Sequence, residues 1–463
     1  MTVPTPPGLL SILGQLTAAG FTCLVVGGAV RDSLLGVEPV DFDVEVYGIS
    51  YERLTEFLGR HGRVDLVGKS FGVVKFGDGW DFSVPRRDNK IGAGHRDFES
   101  SFDPGITPRE AASRRDFTIN AMAYDAVREE LHDYFGGQAD LEARILRATS
   151  AAFSEDPLRV LRGMQFACRF DLTVDPATAG MCRAIAGQYG TLPKERVCEE
   201  FMKWAAKSRR PGRILEYLGA TGWLAHFPLL ARIQGVPQDP EWHPEGDVAT
   251  HTMHVVNAAA EIARRERFSE DDSAVLLFSA LTHDFAKADT TELRDKDGRM
   301  RWTAYGHEKA GGPLARTFLE SVGLKAEIVD RAVPLVENHL AHVNFGESPL
   351  HPRAIRRLAA RLAPANVTQL SWLIEADHSG RPPLPAGMPA EAARMRDFAA
   401  AEHVDESPQP PLILGRHVLP YFDGKPGKHI GEVTKAGYEA QLDGAFSSEP
   451  EALKWLADHM ASR

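Results

Sequence analysis

The run Asp41-Phe42-Asp43, a few residues beyond Val26-Gly27-Gly28-Ala29-Val30-Arg31-Asp32, constrains this chain more than any other feature. On a strand, side chains alternate between faces, so Asp41 and Asp43 share one side while Phe42 takes the other. Two carboxylates on one face suit a hard divalent cation. Magnesium keeps part of its water and is held by one or two carboxylates together with a substrate's phosphates. Upstream, Leu24 to Val26 reads as a short apolar strand, and Gly27-Gly28 lets the backbone turn and approach a ligand with no Cβ in the way. Ala29 to Leu35 then reads as a helix start, whose amides favour anions, with Arg31 as a bidentate phosphate donor. Strand, Gly-Gly turn, helix and acidic strand together predict a nucleotidyl-transfer site.

A chain of 463 residues is too long for one core, so several domains are expected. Hydrophobic residues at 43% and charged residues at 25% are ordinary for a globular protein. No apolar run approaches a membrane span and no basic, then hydrophobic, leader opens the chain, so the expectation is a cytoplasmic protein without a membrane partner. The four cysteines, Cys23, Cys168, Cys182 and Cys198, form no Cys-x-x-Cys pair and read as buried free thiols. A net charge of −11 is unusual for a nucleic-acid binder. Basic residues nevertheless cluster at Arg86-Arg87 with Lys90 and Arg96, at Arg114-Arg115, from Lys203 to Arg213 and from Arg353 to Arg361. Each cluster is either an RNA contact or a solvated helix face.

Up to about Arg147 the pattern mixes β-rich runs (Cys23 to Val26, Phe42 to Tyr47, Val73 to Phe76, Trp80 to Val84) with helical stretches. Beyond Ser150 it is helical almost throughout, interrupted by the Pro-rich segment Val236 to Pro240 and by a loop from Gly380 to Pro389. Asp88 to Glu99, with Gly92 and Gly94, reads as a mobile loop, and Asp81 on the neighbouring strand is either a third carboxylate for the metal site or an inward-facing residue hydrogen-bonded to backbone. In Arg114-Arg115-Asp116-Phe117-Thr118-Ile119-Asn120-Ala121, Asp116 and Asn120 stand four apart, which predicts one face of a helix. Their acceptors and donors suit sugar recognition, and Arg115 suits a triphosphate. In Glu155-Asp156-Pro157-Leu158-Arg159-Val160-Leu161-Arg162, Asp156 is a helix N-cap ahead of a first-turn proline. Arg196 and Glu200, four apart on a predicted helix, are expected to pair and stabilise it.

Together these runs resemble class II tRNA nucleotidyltransferases and bacterial poly(A) polymerases. The resemblance implies that Gly27, Gly28, Arg31 and Arg115 hold phosphates, that Asp116 and Asn120 hold the sugar, and that Asp41 and Asp43 are catalytic ligands of two magnesium ions. It also implies that Asp156 and Arg159 read the incoming base as a template would, selecting CTP and ATP, with Arg162 extending to phosphate or base. Gln165 stands where related bacterial sequences often carry Arg. The Asp88 to Glu99 segment corresponds in position to a loop that helps the switch to the final nucleotide.

In the second half, His251, the His283-Asp284 dyad and Asp377 are spaced as in the HD phosphohydrolase superfamily. Imidazoles and carboxylates converging from separate helices make a site for a transition metal or magnesium that activates water. His307 and His339 are candidates for a second metal or for phosphate, whereas His254 and His378 are expected to be core residues. With Trp242-His243-Pro244-Glu245-Gly246-Asp247 ahead of His251, the region resembles the HD domain fused to bacterial tRNA nucleotidyltransferases. The last segment, around Gly424 to Gly431 and Ala440 to Gly444, resembles the family's tails and is left open between binding tRNA and packing on the HD domain.

The expected fold class is α+β: a nucleotidyltransferase (polymerase β-like) head with a mixed β-sheet over residues 1–149, then an all-α neck (150–235), an all-α HD domain (236–385) and a tail (386–463). The expected function is template-independent CCA addition to tRNA from CTP and ATP, with phosphatase or phosphodiesterase chemistry in the HD domain. Enzymes adding only CC or only A, a poly(A) polymerase, and an HD phosphohydrolase with a binding-only head remain as alternatives.

Overall fold

The computed structural model describes residues 2–65, 72–77, 79–90, 98–103, 105–346 and 350–462. The chain divides into two compact units, Met1–His226 and Phe227–Arg463.

The first unit is built on a seven-stranded mixed sheet. Its strands are β1 (Thr22–Val26), β2 (Phe42–Tyr47), β3 (Val64–Asp65), β4 (Val73–Phe76) and β5 (Trp80–Ser83). A separate antiparallel hairpin, β6 (Arg86–Lys90) with β7 (Phe98–Phe102), follows, and β8 (Ala123–Asp125) and β9 (Glu130–His132) complete the main sheet. The sheet order is β3-β4-β5-β2-β1-β8-β9, with β2 and β5 parallel and the other neighbours antiparallel. Cys23 and Val25 of β1 face one core with Val44, Val46 and Phe82, against the helices Pro7–Ala18 and Tyr51–Gly59. Leu24 and Val26 alternate to the opposite face with Tyr47 and Ala123. The ends of the segment read from sequence as a loop, Asp88 to Glu99, are therefore paired strands, and its tip with Gly92, Gly94 and Arg96 lies outside the described residues.

Helices follow the sheet, with one short parallel pairing, β10 (Ile145–Leu146) with β11 (Thr173–Val174). The helix Leu158–Phe170 packs on Lys194–Lys207 and Arg213–Thr221. Contact is close at Gly163, where a Cβ would fall 2.1 Å from the Tyr217 hydroxyl and 2.8 Å from the Phe117 ring. Only glycine fits there.

The second unit centres on the helices Val248–Arg265, Glu270–Thr282, His307–Ser321, Ala326–Glu337 and Val367–Ser379. Asp247 and Ser269 cap the first two by accepting from the Thr250 and Asp272 amides, so the helix starts are set locally. Contrary to the all-α expectation, an antiparallel hairpin, β12 (Glu292–Lys296) with β13 (Arg299–Thr303), interrupts the helices. The chain's end has its own small core around Ile413, Val418, Val433, Phe446 and Leu456. It is tied to the helix Pro352–Leu362 by Arg353–Asp443 at 2.8 Å and Arg357–Asp443 at 2.9 Å, while Arg356 pairs with Glu402 at 2.7 Å. Much of the basic run Arg353 to Arg361 is thus spent inside the fold, and the tail packs on this helix. Among the described residues no helix is long and apolar enough to cross a membrane. Cys23, Cys168 and Cys182 are buried, whereas Cys198 is only half-buried.

Two candidate active sites

A polar cavity of about 750 Å³ in the first unit collects Gly27, Gly28, Arg31, Asp41, Asp43, Arg115, Asp116, Asn120, Asp156, Arg159, Arg162 and Gln165. All the sequence-predicted head residues except Asp81 line it. Asp41 lies just before β2 and Asp43 within it, both exposed, with the Phe42 ring buried between them. Neither carboxylate has a hydrogen bond or ion pair among the described residues. Partial burial, and then the like charges of Asp81, Asp41 and Glu45, raise the Asp43 carboxyl despite the opposing pull of Arg115. Asp81 pairs with Asp43 across the β2–β5 register and lies 3.6 Å from Lys75. Such crowding of unpaired carboxylates is relieved by a cation, so the donor set fits one.

Gly27 holds the turn at φ +71°, and a Cβ there would meet Arg115 Nη1 at 2.9 Å. Arg115 donates to Glu45 at 2.7 Å, and that pair holds its charge against burial. Asp116 accepts from Asn120 Nδ2 at 3.0 Å, from the Phe117 amide at 2.8 Å and from Arg162 Nε at 2.8 Å. Arg31 is buried, donates to Asp32 at 2.9 Å and to Asn120 at 2.5 Å, and stacks 4.5 Å from the Phe170 ring centre. The helix predicted for Asp116 and Asn120 is corrected: only Thr118–Asn120 is helical, a single 3-10 turn. The two side chains meet because Phe117 is extended before that turn. Asp156 caps as expected, accepting from the Leu158 amide at 3.0 Å. Arg159 is fixed by the Ala152 and Arg114 carbonyls at 2.8 and 2.7 Å.

Arg169, Arg196, Lys203 and Lys207 also line the cavity; Lys203 and Lys207 belong to the basic cluster left open between an RNA contact and a solvated face, and Arg169 and Arg196 were given no binding role from sequence. Arg196, Lys203 and Lys207 recur at seven and four residues along Lys194–Lys207, the spacing of one helix face. The expected Arg196–Glu200 pair is corrected as well. Arg196 reaches Glu199 at 2.6 Å, and the buried Glu200 takes Lys203 at 2.8 Å because its side chain points into the fold.

In the second unit, His251, His283 and Asp377 form one cluster and Asp284, His307 and His339 a second. Four imidazoles share one orientation. Nδ1 of His283, His307 and His339 lies 2.8, 2.6 and 2.7 Å from the carbonyls of Ala280, Ala304 and Val336. Nδ1 of His251 lies 2.8 Å from Glu245 Oε1. Each oxygen accepts, so each Nδ1 carries a proton and each Nε2 is directed inward, where His251 Nε2 lies 3.0 Å from Asp377 Oδ1. Asp284 faces both clusters, with Oδ2 3.1 Å from His283 Nε2 and Oδ1 3.2 Å from His307 Nε2. Its oxygens and His283 Nε2 are buried without a well-formed hydrogen bond, although Lys287 Nζ is 2.8 Å away. Burial alone would lower His251, but Asp377 and Glu245 push it up to about 9. Burial and then the neighbouring His307 and His283 bring His339 down to about 3, so it is neutral as a ligand must be. This donor set fits metal ions. Glu245, which also accepts from His243 at 2.9 Å, is the orienting carboxylate that sequence reading quoted but gave no role. His254 and His378 are half-buried, not core residues, and His378 lines the adjoining cavity.

Comparison with known proteins matches two segments of the chain to two families. Residues 23–147 match the Poly A polymerase head domain and residues 248–374 the HD domain. The multifunctional CCA protein of Burkholderia cenocepacia (strain HI2424) is 35% identical over 393 residues, 82% of this chain and 90% of that protein. The chain belongs to the multifunctional CCA protein family. The family's member from Xanthomonas campestris pv. campestris (strain B100) is also 35% identical, over 77% of this chain and 85% of its own length. The fold is that of CCA-adding enzymes. The Bacillus stearothermophilus CCA-adding enzyme in complex with CTP superposes with a TM-score of 0.64 at 19% identity, covering 99% of each chain. The Thermotoga maritima CCA-adding enzyme complexed with tRNA-CCA gives 0.56 at 18% identity, covering 98% of this chain and 96% of that one.

Proposed function

We propose that the head of this multifunctional CCA family member adds C, C and A to the 3′ end of tRNA, taking CTP and ATP. The observation that carries this reading is the single cavity joining the unpaired Asp41 and Asp43 to the Arg115–Asp116–Asn120–Arg162 network and to Asp156 and Arg159. Magnesium bound at Asp41 and Asp43 would neutralise the triphosphate and acidify the attacking hydroxyl. The protein's own groups do the rest. Arg115, held beside Gly27 by Glu45, faces the phosphates as a fixed cation. Asp116 and Asn120 lock Arg162 and Arg31 around the sugar subsite. Asp156 accepts from the exocyclic amine that cytosine and adenine share, and Arg159, immobilised by two carbonyls, presents donors to ring acceptors. The tRNA 3′ oxygen bonds to the α-phosphorus, the bond to the bridging oxygen breaks, and pyrophosphate leaves. Arg196, Lys203 and Lys207 supply phosphate contacts for the acceptor end, which reconciles RNA binding with an acidic chain.

Residues 1–149 form the head in this reading, 150–235 the neck, 236–385 the HD domain and 386–463 the tail. The HD cluster is a metal-dependent phosphohydrolase centre, with His251, His283, Asp284 and Asp377 as ligands and His307 and His339 completing a second position. The test is incubation of the protein with magnesium, CTP and ATP on transcripts of one tRNA ending before CCA, after C and after CC. Completion to CCA and no further is expected. Stopping at CC, or extension only of the CC-ended transcript, would mark a partial enzyme, and long A-tails a polymerase.

A further inference from the structure

We propose that Gln165 selects the sugar of the incoming nucleotide, its side-chain amide taking a ribose hydroxyl. This rests on the nucleotidyl-transfer reading above and adds a specificity-determining contact to it. Among the described residues, four buried polar side chains line the head cavity: Arg31, Asp116, Asn120 and Gln165. The first three are spent on one another and on Arg162. Asp116 accepts from Asn120, from the Phe117 amide and from Arg162, and Asn120 Oδ1 accepts from Arg31. Gln165 is 3% exposed and has no hydrogen bond among the described residues. A buried amide without a partner is costly, and the cavity it lines is where a ligand can supply one.

The helix Leu158–Phe170 sets where that amide stands. Leu158, Arg162, Gln165 and Arg169 recur at four, three and four residues, so they share the face that lines the cavity. Gln165 follows Arg162 by one turn, which makes the two side chains neighbours. Arg162 is anchored on Asp116 at 2.8 Å, and its guanidinium carbon and that of Arg31 each lie 5.4 Å from the Phe166 ring centre. The amide therefore adjoins the sugar subsite, with its cationic neighbours held in place. Arg31, Arg162 and Arg169 carry donors only, which suits phosphate oxygens. A carboxamide offers an NH2 donor and a carbonyl acceptor together, and an ionised phosphate would leave the carbonyl unanswered. A ribose hydroxyl is the matching group, since it donates, accepts and carries no charge. A site built on a buried hydrogen-bonding group rejects the analogue that lacks the hydroxyl, because that group is then left unpaired.

The experiment measures kcat/KM for single-nucleotide addition by the full-length protein with magnesium, on the tRNA transcript ending after C. CTP, 2′-deoxyCTP and 3′-deoxyCTP are compared in the wild type, in Gln165→Met, which keeps the length without the amide, and in Gln165→Asn, which withdraws the amide by one methylene. The wild type is expected to prefer CTP over at least one deoxy analogue. Gln165→Met should cut that preference about tenfold by raising KM for CTP while leaving the disfavoured analogue unchanged. Gln165→Asn should move in the same direction, and it carries the test should the Met protein not fold. Whichever analogue loses its handicap identifies the hydroxyl. A packing role for Gln165 would lower all three nucleotides alike, since each ratio is taken within one protein. Such uniform losses, an unchanged preference in both variants, or a wild type indifferent to both hydroxyls overturns the ribose contact and leaves CCA addition standing. Addition of none of the three by the wild type overturns the nucleotidyl-transfer reading itself.

Discussion

The head and the HD centre are both carboxylate-based sites, built by opposite electrostatic strategies. In the head, Asp41 and Asp43 stand in water at the end of a strand, and the arginines around them are already committed to Glu45, Asp116, Asp32 and backbone carbonyls. In the HD cluster, Asp284, His251, His283 and His339 are buried and hold one another. An exposed pair of carboxylates binds a hard cation weakly until phosphate oxygens complete its shell, so the head's metal is expected to come and go with its nucleotide. Four buried imidazoles whose Nε2 atoms already point inward are expected to hold a cation without help from substrate.

The largest expected effect tests whether the two sites are independent. Asp41→Ala with Asp43→Ala should reduce CTP incorporation into tRNA by on the order of 10³-fold or more, because nothing else in the cavity replaces two carboxylates. Phosphoester hydrolysis should survive in the same preparation, and its parallel loss would break the comparison. Conversely, Asp284→Asn neutralises the carboxylate that faces both HD clusters. Hydrolysis should fall at least about 100-fold and bound metal, measured by mass spectrometry of the dialysed protein, should drop. Nucleotide addition should continue.

How much of this was legible before the structure follows from local physics. Strands Phe42–Tyr47 and Val73–Phe76 were read to the residue, since their alternating burial is written directly in their side chains. The three-residue strands β8 and β9 were missed because so short a run carries no periodicity. The β12–β13 hairpin was missed for another reason: Glu292 to Met300 is mostly charged and wholly exposed, and its pairing needs no buried face. At the sites, the sequence singled out residues that the structure brings together in one cavity and in the histidine clusters, but not Glu45 and Glu245, which brace them. Glu45 lies on the same face as Asp43, two residues on, and the rule that located the Asp pair would have found it. Glu245 had no such signal, because its contact with His251 is made by a loop folding back on the helix start.

Glu245 also sharpens the comparison at the next level of effect. Its carboxyl, which burial would raise, is brought down to about 2 by hydrogen bonds from His243 and His251. Glu245→Gln keeps the shape and an acceptor oxygen but loses the negative charge that strengthens both hydrogen bonds and makes His251 a better donor to a cation. Metal affinity, read by competition with a chelator, is expected to weaken about 10- to 100-fold. An unchanged affinity would reduce Glu245 to a packing residue.

The smallest effect belongs to the head, where rigidity comes from ion pairs and not from a metal. Burial alone would raise the Asp116 carboxyl, but Arg162, Asn120 and the Phe117 amide together hold it below its usual value. A carboxyl depressed by folding contributes stability above its unfolded pKa, near 4, and loses that contribution as pH falls through the folded value. The acid side of the unfolding profile should therefore steepen below about pH 4. Asp116→Asn should flatten it there and cost about 1 kcal/mol at neutral pH, a modest figure because Arg162 is one-third exposed and water screens the pair. Nucleotide KM should rise with it, since Arg162 and Asn120 lose their common anchor. A variant with normal KM and the same acid limb would show that the head's arginines are positioned by the surrounding packing alone, and the contrast between an ion-pair-wired head and a metal-wired HD centre would fail on the head's side.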